Sequence, residues 1–290
     1  MENRTEGTLY IVATPIGNSR DMSPRGKQIL EEADIIAAED TRRSMVLLNK
    51  LEIRNKLVSN HKYNEHGKVG WFIGELQAGK NVAVITDAGT PCISDPGSEL
   101  INAAVEAGIR VVGIPGCCAA VNALAVSGFD LTTFMFLGFF PRENADRRRL
   151  LEKIRRGETK TYALYESPKR IMELVDFLIS EQAGCRLCLM NDMTKLHEMS
   201  FRGTPAEVKE QLLKKGNYDK GEYAVVLELN DDYVFNKVEH TVSAEAMLVD
   251  AMVSGDLSSK DAVTAVLNDP NNSYSKNELK AAALRLKKLF

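Results

Sequence analysis

Residues 9–18 read Leu9-Tyr10-Ile11-Val12-Ala13-Thr14-Pro15-Ile16-Gly17-Asn18, five apolar residues that run into a loop of Thr, Pro, Gly and Asn. An apolar run without polar alternation suits an interior strand of a parallel sheet, covered on both faces. Ser23-Pro24 then places an N-cap before a proline at the first helical position and opens a helix to about Ala33. Asp34-Ile35-Ile36-Ala37-Ala38 is a second apolar run, ending at Glu39-Asp40-Thr41-Arg42. Val82 to Thr86 is a third, ending in the long loop Asp87-Ala88-Gly89-Thr90-Pro91-Cys92-Ile93-Ser94-Asp95-Pro96-Gly97. A helix to Ala107 follows, with Gly108 as its C-cap, and Arg110 to Ile114 runs into Pro115-Gly116. Strands alternating with helices predict an α/β fold with a mainly parallel sheet.

The second half changes character. Phe134 to Leu137, Thr161 to Tyr165, Arg186 to Met190, Ser200 to Arg202 and Tyr223 to Leu229 have strand composition. Strands close together around His197 to Gly203 imply antiparallel pairing and hence a mixed sheet. The expected organisation is an N-terminal α/β domain over residues 1–118 and a second α/β domain over 119–235. A small helical unit of helix-turn-helix character is expected over 240–290, with Ser258 and Ser275 as candidate N-caps.

Composition narrows the function classes. The 290 residues, 44% hydrophobic and 27% charged, describe a soluble globular chain and exclude disorder, collagen and a coiled-coil rod. Net charge is only −3, but it is unevenly spread. Pro141 to Arg170 holds ten basic against five acidic residues, and Asn271 to Phe290 five against one, so the remainder is acidic. Two basic zones on an acidic chain can steer a polyanion to one place. The charged start, Met1 to Glu6, precedes too short an apolar run for a signal peptide, and Gly and Pro interrupt Val111 to Phe129 as a membrane span. An intracellular, cytoplasmic location without membrane association is expected. Five cysteines, an odd number, argue against a disulfide framework. Cys185-x-x-Cys188 lacks a second pair and lies in a strand-like run that points the two thiols apart, so no metal is expected.

Ligands of open α/β sheets bind beyond the carboxyl ends of the strands. Three such ends are rich in Gly and Pro: Thr14 to Asn18, Asp87 to Gly97, and Pro115-Gly116-Cys117-Cys118-Ala119. Glycine admits close backbone approach to a ligand, and proline fixes the loop that presents it. No G-x-G-x-x-G follows the first strand and no P-loop occurs, which leaves a dinucleotide enzyme poorly supported despite Glu39 at the end of the second strand.

These loops, with Ala38 to Arg42, Tyr165-Glu166-Ser167-Pro168-Lys169-Arg170 and Thr194-Lys195-Leu196-His197-Glu198, resemble one family in order and spacing. It is the bacterial ribosomal RNA small-subunit methyltransferase I family, of the tetrapyrrole-methylase-like superfamily. The resemblance covers about Gly7 to Leu229, and more weakly the tail from about Ser243. It implies two α/β domains with S-adenosylmethionine in the cleft between them, and a homodimer. The implied activity is 2′-O-methylation of a cytidine ribose in the decoding region of 16S rRNA, within the 30S subunit. Carried over by position, the donor contacts fall on Pro15, Ala88, Gly89, Thr90, Ile93, Cys118 and Ala119, and more weakly on Glu166 and Met193. Cys117 and Cys118 depart from the small or hydroxyl residues usual there, and Asn191-Asp192 from a more usual Arg-Glu.

Methyl transfer from a sulfonium is an in-line displacement, so alignment supplies much of the acceleration, and a ribose hydroxyl needs a base or a neighbouring cation. Candidates are Glu39, Asp40, Lys195, His197 and Glu198; if Thr194 to Glu198 is extended, Lys195 and His197 share one face. Equally, Asp40 can cap a helix and Lys195–Glu198 can be a surface pair. In the helix pattern Ala145 to Arg156, Leu150, Leu151 and Ile154 form the buried stripe, and Arg147, Arg148 and Arg149, with Arg142 before them, are expected to contact RNA phosphates. The rival readings are a tetrapyrrole or other small-molecule methylase on the same fold and a non-catalytic RNA-binding protein.

Overall fold

The apolar runs of the first half become one wholly parallel sheet. The computed structural model describes residues 6–61, 65–157, 159–230, 243–269, 272 and 274–287. In it β1 (Thr8–Val12), β2 (Ile35–Ala38), β3 (Leu57–Ser59), β4 (Val82–Ile85) and β5 (Arg110–Ile114) lie in the order β3-β2-β4-β1-β5. Every pairing among them is parallel. Side-chain alternation sends Leu9, Ile35 and Val84 to one face, where α3 (Glu65–Gln77) and α4 (Ser98–Glu106) pack through Phe72, Leu76 and Leu100. Val12, Ile36 and Ile85 go to the other, against Leu30 of α1 (Pro24–Glu32) and Leu48 of α2 (Thr41–Lys50). Ser23 caps α1, accepting from Gly26 N at 3.0 Å, and Asp40 caps α2, accepting from Arg42 N at 2.8 Å. The sequence did not announce β3, a three-residue edge strand that is only half buried.

The second sheet is mixed. β6 (Phe134–Phe139), β7 (Thr161–Glu166), β8 (Cys185–Asn191), β9 (Met199–Gly203) and β10 (Tyr223–Leu229) lie in the order β6-β7-β10-β8-β9. Only β6 and β7 run parallel. α5 (Ala119–Ser127) covers one face, with Ala123 and Leu124 against Ala163, Cys188 and Val226. α6 (Asn144–Arg155) and α7 (Ile171–Ser180) cover the other, where Leu151, Ile154, Leu174 and Leu178 meet Leu164, Val225 and Leu227. α8 (Pro205–Lys215) starts at a capping box of Thr204 and Glu207. Cys185 and Cys188 are both buried in β8, and burial pushes the Cys185 thiol up to about 12. Among the described residues no cluster of His, Cys, Asp or Glu could hold a metal ion, and no helix is long and apolar enough to cross a membrane.

One condition is not met and one expectation fails. Thr194 to Glu198 is a sequence of turns, not an extended segment. Arg147 is only 8% exposed. Its guanidinium bonds the Pro141 carbonyl at 3.0 Å and Glu173 at 3.0 Å and lies 5.3 Å from the Phe140 ring centroid. Arg147, Leu151 and Ile154 are spaced four and three apart, so they share one stripe; Arg147 continues it toward the helix start and cannot face RNA.

The chain divides into two compact units, Met1–Asn230 with both sheets and Asp231–Phe290 with the C-terminal helices. In the latter, α9 (Ala244–Gly255), α10 (Ser259–Leu267) and α11 (Lys276–Leu286) pack through Leu248, Val266 and Leu279. Ser258 and Ser275 are N-caps, the second in a capping box with Glu278. The expected boundaries at 235 and 240, and Lys288 of the basic tail, lie outside the described residues.

Tyr162 of β7 ties that strand to the end of α6. It is 1% exposed, and its hydroxyl reaches the carbonyls of Ile154 at 2.9 Å and Thr159 at 2.8 Å. Tyr162→Phe leaves both buried acceptors without that donor and should lower unfolding free energy by roughly 1–2 kcal/mol. Urea titration checks this, and a loss below about 0.3 kcal/mol would show that the hydroxyl does not hold the helix to the strand.

Candidate active site

The loops leaving β1, β4 and β5, three neighbouring strands, are laced together. Thr14 N donates to Gly89 O at 2.8 Å and Gly89 N returns a bond to Thr14 O at 3.0 Å, an antiparallel bridge beyond the end of a parallel pair. Thr14 Oγ1 donates to Thr86 O at 3.1 Å, and Thr90 Oγ1 to Cys117 O at 2.9 Å. Gly89 sits at φ +87°, left-handed backbone that disfavours a side chain.

A cavity of about 440 Å³ opens beside these loops, between the edges of the two sheets. Ala88, Gly89, Thr90 and Ile93 line it from the first half of the unit, and Cys118, Ala119, Glu166 and Met193 from the second. Pro15 is not in the wall; its neighbour Ile16 takes that place. Phe139, Tyr223 and Ala224 also line it, and none of the three was singled out from the sequence. The Tyr165 hydroxyl accepts from Ala120 N at 3.1 Å and so caps α5, whose own N-cap residue, Cys118, makes no side-chain capping bond. Burial pushes the Tyr165 phenol up to about 12, which keeps it protonated.

Met193 is presented by a strained turn. Asp192 and Thr194 on either side of it have φ of +52° and +66°, costly for residues with a Cβ. Lys195 and Glu198, read as candidate catalytic groups, hold this turn. Lys195 Nζ donates to Asp192 Oδ1 and Glu222 Oε2, each at 2.7 Å, and Glu198 Oε2 accepts from Thr194 N at 2.6 Å. Partial burial opposes the Lys195 charge, but its two carboxylate partners outweigh it and hold the ammonium above its usual range. Neither side chain lines the cavity, and His197 is an exposed residue of the same turn. Thr194 Oγ1 accepts from Asn18 N at 3.1 Å, joining the turn to the first loop. Gly17 permits that approach, since a Cβ there would lie 2.9 Å from the Met193 carbonyl.

The remaining wall is acidic. Glu39, Asp87, Asp95, Glu166 and Glu222 line the cavity against one base, Arg43. Asp40, next to Glu39, is outside it; its bonds to the Arg42 side chain and backbone pull its carboxyl down to about 2, a poor proton acceptor. Glu166 is 2% exposed and bonds Arg170 at 2.6 Å through Oε1, while its Oε2 has no partner. Asp95 is pushed up to about 6 by burial first, then by the neighbouring charges of Glu39 and Asp87.

The sequence matches the family Tetrapyrrole (Corrin/Porphyrin) Methylases over residues 8–209. It is 42% identical over 225 residues to the ribosomal RNA small subunit methyltransferase I of Synechocystis sp., covering 76% of this chain and 78% of that one. With the enzyme of the same name from Pseudomonas aeruginosa it shares 38% identity over 96% of this chain and 97% of that one. The chain belongs to the ribosomal RNA small subunit methyltransferase I family of the tetrapyrrole methylases. Among solved structures it is similar in fold to diphthine synthase, with a TM-score of 0.59 at 14% identity, covering 77% of this chain and 90% of that one. It is similar also to uroporphyrin-III-C-methyltransferase from Thermus thermophilus, with a TM-score of 0.54 at 20% identity over 77% and 94% of the two chains.

For this family member the wall suits an amphipathic cation: Ile16, Ile93, Met193 and Ala224 are apolar, and the carboxylates attract positive charge. Such a cluster also costs stability when empty, with a defined sign. Because the folded carboxyl of Asp95 lies near 6 against an ordinary 3.8, its ionised form is disfavoured, and the penalty is present above pH 6 and gone below about 4. Asp95→Asn should therefore melt higher than wild type at pH 8, by an amount on the order of 1 kcal/mol after solvent screening, with the gap closing by pH 4. Equal melting curves at pH 8 would show that the acidic neighbours do not strain Asp95.

Proposed function

We propose that the protein transfers the methyl group of S-adenosylmethionine to the 2′-oxygen of a cytidine ribose in the decoding region of 16S rRNA, within the 30S subunit. The observation that carries this reading is the acidic, apolar-walled cavity in a chain whose relatives bear the rRNA methyltransferase name over nearly their whole length. S-adenosylmethionine is a co-substrate that brings an adenosine, a sulfonium and an ammonium group. Ile16, Ile93, Met193 and Ala224 receive its apolar parts, the carboxylates its cations, and the unpartnered Glu166 Oε2 accepts a hydrogen bond. No metal is required in this reading.

The same acidity disfavours the tetrapyrrole alternative, because uroporphyrin-type acceptors are polycarboxylates and would be repelled. It also keeps RNA phosphates at the rim, so the target nucleotide must be splayed toward the cleft while basic groups elsewhere hold the backbone. Arg142, Arg148 and Arg149 are exposed and suit that task. Arg148 and Arg149 make only surface pairs with Glu181 and Asp146, at 66% and 81% side-chain exposure, and pairs of that kind exchange readily for phosphate. The reading includes a homodimer in the cytoplasm, which light scattering on the purified protein tests.

Labelled S-adenosylmethionine incubated with 30S subunits that lack the modification should place label in a 2′-O-methylated cytidine. Label in a porphyrinoid and none in RNA would install the tetrapyrrole reading, and RNA binding without any transfer the non-catalytic one. Ala88→Trp, which fills the cavity from an exposed wall position, should abolish calorimetric binding of S-adenosylmethionine while the fold persists. It is preferable to Thr90→Tyr, which also removes the bond to Cys117 O.

Reversal of Arg148 and Arg149 to glutamate should weaken RNA binding and flatten its dependence on log salt by roughly 0.7–0.9 for each phosphate that is no longer neutralised. Arg147 is left in place, because it is buried. Donor affinity should change less than about threefold, well under ~1.4 kcal/mol. Normal methylation at physiological salt would move the RNA path away from α6.

A further inference from the structure

We propose that Asp95, whose neighbours in the wall are Glu39 and Thr86, is the general base that takes the proton of the attacking hydroxyl; this rests on the ribose methylation proposed above. Five carboxylates line the cavity and three are already committed. Asp87 accepts from Arg43 at 3.0 Å and from Asp40 N at 3.3 Å; Glu166 is paired with Arg170, and Glu222 with Lys195. Those donors occupy carboxylate oxygens that a substrate hydroxyl would otherwise reach, although burial and Glu39 still hold the Asp87 carboxyl above its usual range.

Glu39 and Asp95 remain, and the Thr86 hydroxyl lies between them. It donates to Glu39 Oε2 at 2.8 Å and also faces the Asp95 carboxyl. A hydroxyl has one proton to give. Turned toward Asp95, that proton favours the ionised carboxylate, but burial and the charges of Glu39 and Asp87 outweigh it. The balance favours protonated Asp95, the state that follows proton capture. Asp95 still ionises near pH 6, so it is available as a base at neutral pH.

Its place in the cleft fits the role. The loop from Thr90 to Gly97 leaves the first sheet and approaches the second, where Ser94 Oγ lies 3.6 Å from the position of a Cβ on Gly138. From the second sheet the titratable group that faces Asp95 is the Tyr165 phenol, held neutral by burial. From the first sheet they are Glu39 and Asp87, the latter with Arg43. In the step, a lone pair of the 2′-oxygen forms the O–CH3 bond while the S–CH3 bond breaks and sulfur keeps its electron pair. The hydroxyl proton passes to the Asp95 carboxylate and leaves to water after product release.

The test compares wild type, Asp95→Asn and Glu39→Gln on unmodified 30S subunits, with donor affinity measured by calorimetry. Wild-type kcat/KM should rise with pH through about 6 and level above it. Asp95→Asn should retain donor affinity within about tenfold, lose roughly 10²–10⁴ in kcat, and lose that limb. Glu39→Gln removes a negative neighbour, so the limb should move to lower pH whatever the change in absolute rate. An inert wild type would sink the methylation reading itself. An active wild type whose Asp95→Asn keeps both rate and limb overturns the assignment of Asp95. Loss of the limb in Glu39→Gln instead gives the base role to Glu39, and this outcome can be read even if Asp95→Asn fails to fold.

Discussion

The pair of backbone hydrogen bonds between Thr14 and Gly89 is the constraint on which the site depends. β1 and β4 are parallel neighbours whose chains must part, each toward its own helix. The bridge holds the departing loops together past the last strand residue, and Thr90 extends the lacing to Cys117 on the loop after β5. The wall at this edge is thus largely main chain fixed by main chain. That accounts for the tolerance of cysteine at positions 117 and 118. Cys117 serves through its carbonyl, and the capping hydroxyl that Cys118 lacks comes from Tyr165 on β7.

In the proposed reading, charge keeps two binding problems separate. The cavity carboxylates would attract the cationic donor and repel phosphate, while the exposed arginines of α6 lie on a helix that covers the opposite face of the second sheet from α5. Were the basic residues inside the cavity, phosphate would compete with the donor for it. On that proposal the salt dependence of RNA binding would belong to groups that do not touch the donor.

The strands were legible because apolar runs bounded by Gly and Pro leave few alternatives, and Ser23, Asp40, Ser258 and Ser275 cap helices as their types dictate. The legible part of the site was the set of loop residues that share a strand end. What failed were assignments that depend on neighbours distant in sequence. Arg147 reads as an exposed base until Phe140 and Glu173 are placed beside it. Glu222 and Ala224 joined the wall through register: β10 lies between β7 and β8, with Tyr223 opposite both Glu166 and Asn191. Nothing local to Tyr223 announces those partners. Asp95 was in view within its loop but unremarkable there, because its character comes from Glu39 and Asp87 on other segments.

Lys195 follows the same logic, and its bonds serve the turn that presents Met193. Two left-handed residues around Met193 cost on the order of 1–3 kcal/mol each, and a turn of that kind persists only when its surroundings over-determine it. Here Lys195 bonds Asp192 and Glu222 on the β10 side, Glu198 bonds Thr194 N, and Asn18 N fixes the Thr194 hydroxyl from the first loop. The turn is therefore held from both sheets at once, and Met193 is the wall residue it delivers. The ion pairs of a lysine that reads as chemistry in the sequence thus also keep a methionine in place.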